Sequence, residues 1–217
     1  MELTWHDPGS RLYETGVFNV AFYIQNPNGT YARGKAWNGV ISVTASPSGG
    51  EASPIIANNM KIGDTLSATD FGGRIEAFTR PDDFCLCDGI GTATAGIEVA
   101  MQKRRRFGLV YKTLLGNDID DLDHGYKLHI YYGCRAQPAG QNYGTMNENA
   151  DILHYSWNFT SIPVISQNFP PLSYICIDTT KIPPGIKTRL QHELFGYRVS
   201  YNPNLLLPDK IYSILTR

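Results

Sequence analysis

The stretch RFGLVYKTLL, residues 106–115, is the strongest strand signal in this 217-residue chain. It follows directly on Lys103, Arg104 and Arg105 and opens with Arg106. If residues 101–115 are extended, successive side chains point to opposite faces. Lys103 and Arg105 then share a face with Phe107, Leu109 and Tyr111, while Arg104 and Arg106 take the other. The basic run is read as two pairs on two surfaces rather than as a single basic wall.

The segments around this strand have the same character. VFNVAFYIQ, from Val17, is rich in β-branched and aromatic residues and is closed by the turn NPNG. NGVISVTAS alternates, and PSGGEAS interrupts it as a flexible loop. PIIANNMKIGDTLSA and GGRIEAFT are expected as strands, with a helical turn between Pro81 and Asp88. GIEVAM, YKLHIYYGCRA, the alternating ILHYSWNFTSIPV and YICID follow as strands. GNDIDDLDHG is expected as an acidic loop and QPAGQNYGTMNENAD as a long polar one.

IPPGIKTRLQHELFG is the one clear helix, with Pro184 in its first turn and Gly196 as its stop. Ile186, Leu190 and Leu194 form its apolar stripe, and the tail LPDKIYSILTR can add a short helical turn. The sum is about eight to ten strands and one helix. The fold class expected is mainly β: a sandwich or barrel-like pair of antiparallel sheets with one flanking α-helix, an extended N-terminal arm and long loops. The expected organisation is a single domain over 1–217. It comprises an arm (1–16), a β core (17–180), a helix (183–196) and a C-terminal segment (197–217).

Composition narrows the function. Lys plus Arg number 19 and Asp plus Glu 20, whereas a dedicated nucleic-acid binder carries a basic surplus. Charged residues are 18% of the chain and tyrosines number 13, which suits a surface covered by other protein. No apolar stretch is long enough to span a membrane. The opening MELTWHDPGS lacks the basic end and apolar core of a secretory leader, so the expected compartment is a reducing cytosol with free thiols.

Catalytic motifs find no foothold. Cys85 and Cys87 are one residue apart with no second pair, so they read as small apolar fillers rather than zinc ligands or a redox pair. GIGTATAG lacks the glycine spacing and strand–helix alternation of a dinucleotide loop. His6, His124, His129, His154 and His192 are scattered and read as structural. Asp118, Asp120, Asp121 and Asp123 lack the order of a calcium loop, so a solvated or partner-facing loop is expected. No cofactor or metal is expected.

Several long segments together carry a resemblance: ISVTASPSGGEASPIIANNMKI, FGGRIEAFTRPDDFCLCDG, QKRRRFGLVYKTLLGNDIDDLDHGYKLHIYYGCRAQPAGQNYGTMNE, ILHYSWNFTSIPVI and the terminal LPDKIYSIL. They resemble the major tail protein of long, non-contractile tailed bacteriophages, over roughly residues 17–180. The CLC stretch is unusual there, and Cys85 and Cys87 have no role in that pattern. The resemblance implies a virion protein made in the host bacterial cytoplasm. Six copies form a ring, rings stack into the tail tube, and inner strands join into a barrel around a lumen for DNA. A related fold forms the tube of the type VI secretion system.

It also implies partners: further copies of itself, and the tape measure, tail terminator and distal tail proteins. DNA passes the lumen without specific binding, and no membrane is involved. A lining of stacked arginine rings would hold phosphate, so a neutral or acidic bore is expected, with Lys103–Arg106 mostly away from it, at subunit or ring contacts. Glu76, Asp82, Asp83 and the Asp118–Asp123 loop are available to pair with them. The contact candidates are Trp5, Tyr13, Lys103, Arg104, Arg105, Arg106, Asp118, Asp120, Asp121, Asp123, Tyr143 and Met146. The long loops Thr44–Ile56 and 135–151 are expected to order on a neighbour. The alternatives are a tail terminator or connector of the same fold and, from another class, a small cytosolic redox or metal-binding enzyme using Cys85 and Cys87.

Overall fold

Apolar residues stand on both faces of the middle strands, and this sets the layering. The computed structural model describes residues 5–138, 140–141, 143–145, 153–197 and 202–216. Its strands are β1 (Tyr13–Ile24), β2 (Lys35–Ala36), β3 (Val40–Ser48), β4 (Ala52–Ala57), β5 (Met60–Leu66), β6 (Asp70–Ala77), β7 (Gly91–Thr94), β8 (Ile97–Val99), β9 (Phe107–Asn117), β10 (Asp121–Ala136), β11 (Tyr155–Thr160) and β12 (Tyr174–Asp178). The helices are α1 (Cys85–Asp88), α2 (Pro184–Phe195) and α3 (Pro208–Leu215).

The main sheet runs β2-β1-β9-β10-β11-β6-β3, with β12 also paired to β10, and every pairing is antiparallel. β10 is the hinge of the architecture. Residues Lys127–Tyr131 pair with β12, whereas Arg135 and Ala136 pair with β11. Between them the register shifts, and Gly133 takes φ +59°. A Cβ there would stand 2.6 Å from the Ile162 carbonyl, so the bend requires glycine. The sheet thereby folds over itself, and β3 returns against β1.

Two cores result. Val20, Phe22, Phe107, Leu109, Tyr111 and Tyr131 face Ile75, Trp157 and Phe159 across the fold. Phe84 and Trp37 fill its centre, their rings 4.3 Å apart. From the other face of the same strands, Ala21, Tyr23, Val110, Leu128, Ile130 and Tyr132 meet Leu190 and Leu194 of α2 and Ile211 and Ile214 of α3. The middle strands therefore read as apolar runs rather than alternations, as strands covered on both faces do. The Tyr132 hydroxyl donates to the Leu206 carbonyl at 2.7 Å, and the Tyr23 hydroxyl to that of Leu194. These bonds tie the helical layer to the sheet.

The mainly β, antiparallel architecture with few helices matches the expected class. The tail forms α3, a full helix where a short turn was expected. Other expectations are corrected. Residues 13–16 of the supposed irregular arm belong to β1, because Tyr13, Glu14 and Thr15 pair with Gly116, Leu115 and Leu114. Thr44–Ile56 is not a flexible loop: β3 continues to Ser48, and Ala52 opens the β4–β5 hairpin. PIIANNMKIGDTLSA is likewise two strands, turned at Asn58 and Asn59 with φ +50° and +61°, the signature of a tight two-residue hairpin turn. GIGTATAG contributes β7, paired to β8 in a second small hairpin. Much of the expected 135–151 loop, Met146 included, lies outside the described residues.

Candidate functional site

The two ends of β9 carry opposite charge. At its start, Lys103 is exposed and Arg104, Arg105 and Arg106 are half-buried. The strand begins only at Phe107, so the run is not the alternating strand entry expected. Its backbone is spent on neighbours instead. Gln102 donates to the Gly89 carbonyl at 2.9 Å and Arg105 to that of Leu86 at 3.0 Å, while Arg106 accepts from Gln25 at 2.8 Å. Arg104 Nε donates to the Asp88 carbonyl at 3.1 Å, where α1 ends in the left-handed Gly89. With Gln25, Asn26 and Pro27, the four side chains line a recess of about 520 Å³. Among the described residues, none of the four forms an ion pair within the chain.

At the far end of β9, Asn117 organises the acidic tip. Its Oδ1 accepts from the backbone of Ile119 and Asp120 at 3.0 and 2.5 Å, and its Nδ2 donates to Asp120 Oδ2 at 3.1 Å. His124 also meets that carboxylate at 3.1 Å. The hydrogen bond from His124, then that from Asn117, holds the Asp120 carboxyl below its usual range. Asp118 accepts from the Gly9 amide at 2.9 Å. Asp121 and Asp123 are exposed and already belong to β10, which shortens the expected loop to a three-residue turn. Ile119 and Leu122 stand exposed between the acids.

The register rows at the centre of β3, β6 and β11 carry a polar outward face. Ser42, Glu76 and Ser156 are register partners, as are Thr44, Arg74 and Asn158. Arg74 pairs with Glu76 at 2.9 Å and donates to Ser156 Oγ at 2.6 Å, and Ser42 donates to Glu76 at 3.0 Å. One cation and one anion thus cancel within a hydroxyl-rich face, and Glu76 is engaged there rather than with the arginine run. Asp83 is paired to Lys35 at 3.1 Å.

The β4–β5 hairpin stands apart. Among the described residues its strands pack on each other and make at most slight contact with any other element. Ile55, Ile56, Met60, Ile62 and Leu66 are all exposed, Leu66 by 73%. Trp5 and Tyr143 are exposed by 72% and 74%, and Tyr13, on β1 with its ring over Gly116, is also exposed.

Two polar centres were not read from the sequence. In the seam between β1 and β3, beside a cavity of about 470 Å³, His129 is buried and stacks on Tyr111 at 4.6 Å. Its Nε2 lies 2.8 Å from Thr113 Oγ1 and 3.1 Å from Glu14 Oε1, and its Nδ1 lies 2.8 Å from the Tyr174 hydroxyl. Burial pushes the imidazole pKa down, so the neutral Nε2–H form fits, with Nδ1 accepting from Tyr174. Glu14 also pairs with Lys127 at 2.5 Å. Burial alone would raise the Glu14 carboxyl, but hydrogen bonds from Lys127 and Thr113 outweigh it and hold the pKa low.

The second centre is Lys112, buried with Nζ 4.6 Å from the Tyr126 ring centroid and 4.9 Å from that of Phe195. Burial, then the neighbouring Lys187 charge, lowers its pKa to about 8. These partners lie far apart in the chain, so no local motif signals either centre.

All four cysteines are free, and Cys85, Cys87 and Cys134 are buried. Burial pushes the Cys87 thiol up to about 12, and a protonated thiol is a poor nucleophile and metal ligand. Among the described residues no cluster of His, Cys, Asp and Glu forms a metal-binding set, and no helix is long and apolar enough to cross a membrane.

No family model and no curated protein matches the chain. Among solved structures it is similar to a chain in the cryo-EM structure of the anti-feeding prophage (AFP) baseplate, 6-fold symmetrised. That match has 9% identity and a TM-score of 0.40, and covers 84% of this chain and 100% of the other.

Proposed function

We propose that this chain is a structural subunit that assembles into stacked rings of six, forming the tube of a long, non-contractile phage tail. The observation that carries the reading is the β4–β5 hairpin. A monomer gains nothing by holding five large apolar side chains in water on an arm that, among the described residues, makes at most slight contact with any other element. The same arm gains once a neighbouring copy covers it, since burying such a side chain contributes about 1.5–3 kcal/mol.

The polar face of β3, β6 and β11 supports the bore. Its Ser, Thr and Asn side chains and its internally cancelled Arg74–Glu76 pair offer no net positive charge to phosphate. DNA slides past such a wall because few counterions are released by contact. In this reading the protein resides in the virion tail after synthesis in the bacterial cytoplasm. Its partners are copies of itself and the tape measure, terminator and distal tail proteins.

Negative-stain electron microscopy of concentrated protein tests the reading, with and without residues 52–66. Rings or tubes are expected from the full chain, and a folded but solitary subunit from the shortened one. A full chain that stays monomeric at every concentration, even when seeded with tail tips, overturns it.

A further inference from the structure

We infer that copies of this chain join head to tail along β9, the acidic tip of one seating in the basic recess of the next. This contact is the ring-to-ring joint of the proposed tube and rests on that reading. Five observations support it.

The two clusters sit at opposite ends of one strand, Phe107–Asn117, about 33 Å apart at about 3.3 Å per residue. At physiological salt the screening length is about 8 Å, so they cannot neutralise each other within a chain. Neither is fully satisfied locally: the four cations have no ion-pair partner among the described residues, and although Asp118 and Asp120 are engaged, Asp121 and Asp123 are exposed. The shapes also differ in the matching sense. The basic end is a recess of about 520 Å³, and the acidic end is a hairpin tip on which Ile119 and Leu122 project between carboxylates.

The recess is pre-arranged as well, because three of its cations are half-buried and Arg104 is fixed against the end of α1. Arginine forks held in this way pair with carboxylates better than mobile surface lysines do. Because the two surfaces differ, the contact is heterologous and leaves a free copy of each surface at either end, so it repeats into a filament. The near balance of 19 basic and 20 acidic residues fits a chain whose cations are matched by its own anions rather than by phosphate.

Charge reversal tests the joint. One variant carries Lys103→Glu, Arg105→Glu and Arg106→Glu, and the other carries Asp118→Lys, Asp121→Lys and Asp123→Lys. Arg104 and Asp120 stay, since Arg104 bonds the Asp88 carbonyl and the Asp120 carboxylate bonds the Asn117 and His124 side chains. By sedimentation, each variant alone is expected to associate roughly tenfold or more weakly. A 1:1 mixture of the two, or one chain carrying both sets, regains assembly. Raising salt from about 0.1 to 1 M, which cuts the screening length from about 10 to 3 Å, weakens the native contact.

Zero-length carboxyl-to-amine cross-linking of assembled native protein supplies a readout that needs no variant. It is expected to link Lys103 to Asp121 or Asp123, a bond only two chains can make. Tubes that form in both variants, with no such cross-link, overturn the joint and leave the tube standing. Native protein that never polymerises sinks the tube. It also overturns the joint, because native protein carries both surfaces, whereas linear oligomers that carry the cross-link but form no rings sink the tube and leave the joint standing. Duplex DNA bound by native protein and lost on reversing the basic end, with assembly unchanged, overturns the joint in favour of a nucleic-acid contact.

Discussion

The β9–β10 pair and the β4–β5 hairpin are both antiparallel, both rich in branched apolar residues, and opposite in fate. In the first, neighbouring residues feed two different cores, with Leu109 and Tyr131 on one side and Val110 and Ile130 on the other. In the second, Ile55, Ile56, Met60, Ile62 and Leu66 meet solvent. A strand's composition states that its faces need covering, and the rest of the chain decides who covers them. Where the chain brings back helices and a second sheet, the need is met internally. Where it does not, the strand becomes an instruction for another molecule.

The contrast can be broken from the inside first. Trp157→Ala removes a fully buried side chain from the aromatic centre and is expected to cost about 3–5 kcal/mol in denaturant unfolding. Next, Lys112→Met replaces the buried charge set among the rings behind β9. Its pKa falls from 10.5 in the unfolded chain to about 8 in the fold, so the folded state holds fewer protons between those values. Native stability therefore rises as pH climbs from about 8 to 10.5. Cation–π attraction offsets part of the penalty, leaving a stabilisation by Lys112→Met of about 1–2 kcal/mol at pH 7. That advantage should fade through the same alkaline window.

A smaller effect is expected at His129, whose folded pKa lies below its ordinary value because it is buried. The unfolded chain takes up the proton first, so stability falls as pH drops below about 6.5, and His129→Gln should flatten that part of the profile. The smallest effect on the monomer sharpens the comparison most. Ile56→Ser with Ile62→Ser should move monomer stability by no more than about 0.5 kcal/mol while abolishing polymer in the microscope.

What the sequence displays depends on how local the cause is. Helix α2 was legible because Pro184, the Ile186–Leu190–Leu194 spacing and Gly196 are all read within one segment. β9 was legible from its own residues. The β4–β5 hairpin was not, because Pro47, Gly49, Gly50 and Pro54 look like loop residues, and proline is tolerated in strands outside a sheet interior. The arginine run misled for a different reason. Its backbone bonds go to Gln25, Leu86 and Gly89, partners that only the folded chain supplies. The Glu14–His129 contact spans 115 positions and leaves no mark on either neighbourhood.

β10 passes as one strand from the helix-backed strands into the polar face, pairing with β12 before Gly133, with β11 after it and with β9 on both sides of it. The two layers are therefore welded by a covalent backbone, not merely glued by side chains. A pull applied to the polar face is carried along the polypeptide itself, and the layers cannot be peeled apart without tearing that strand out of both.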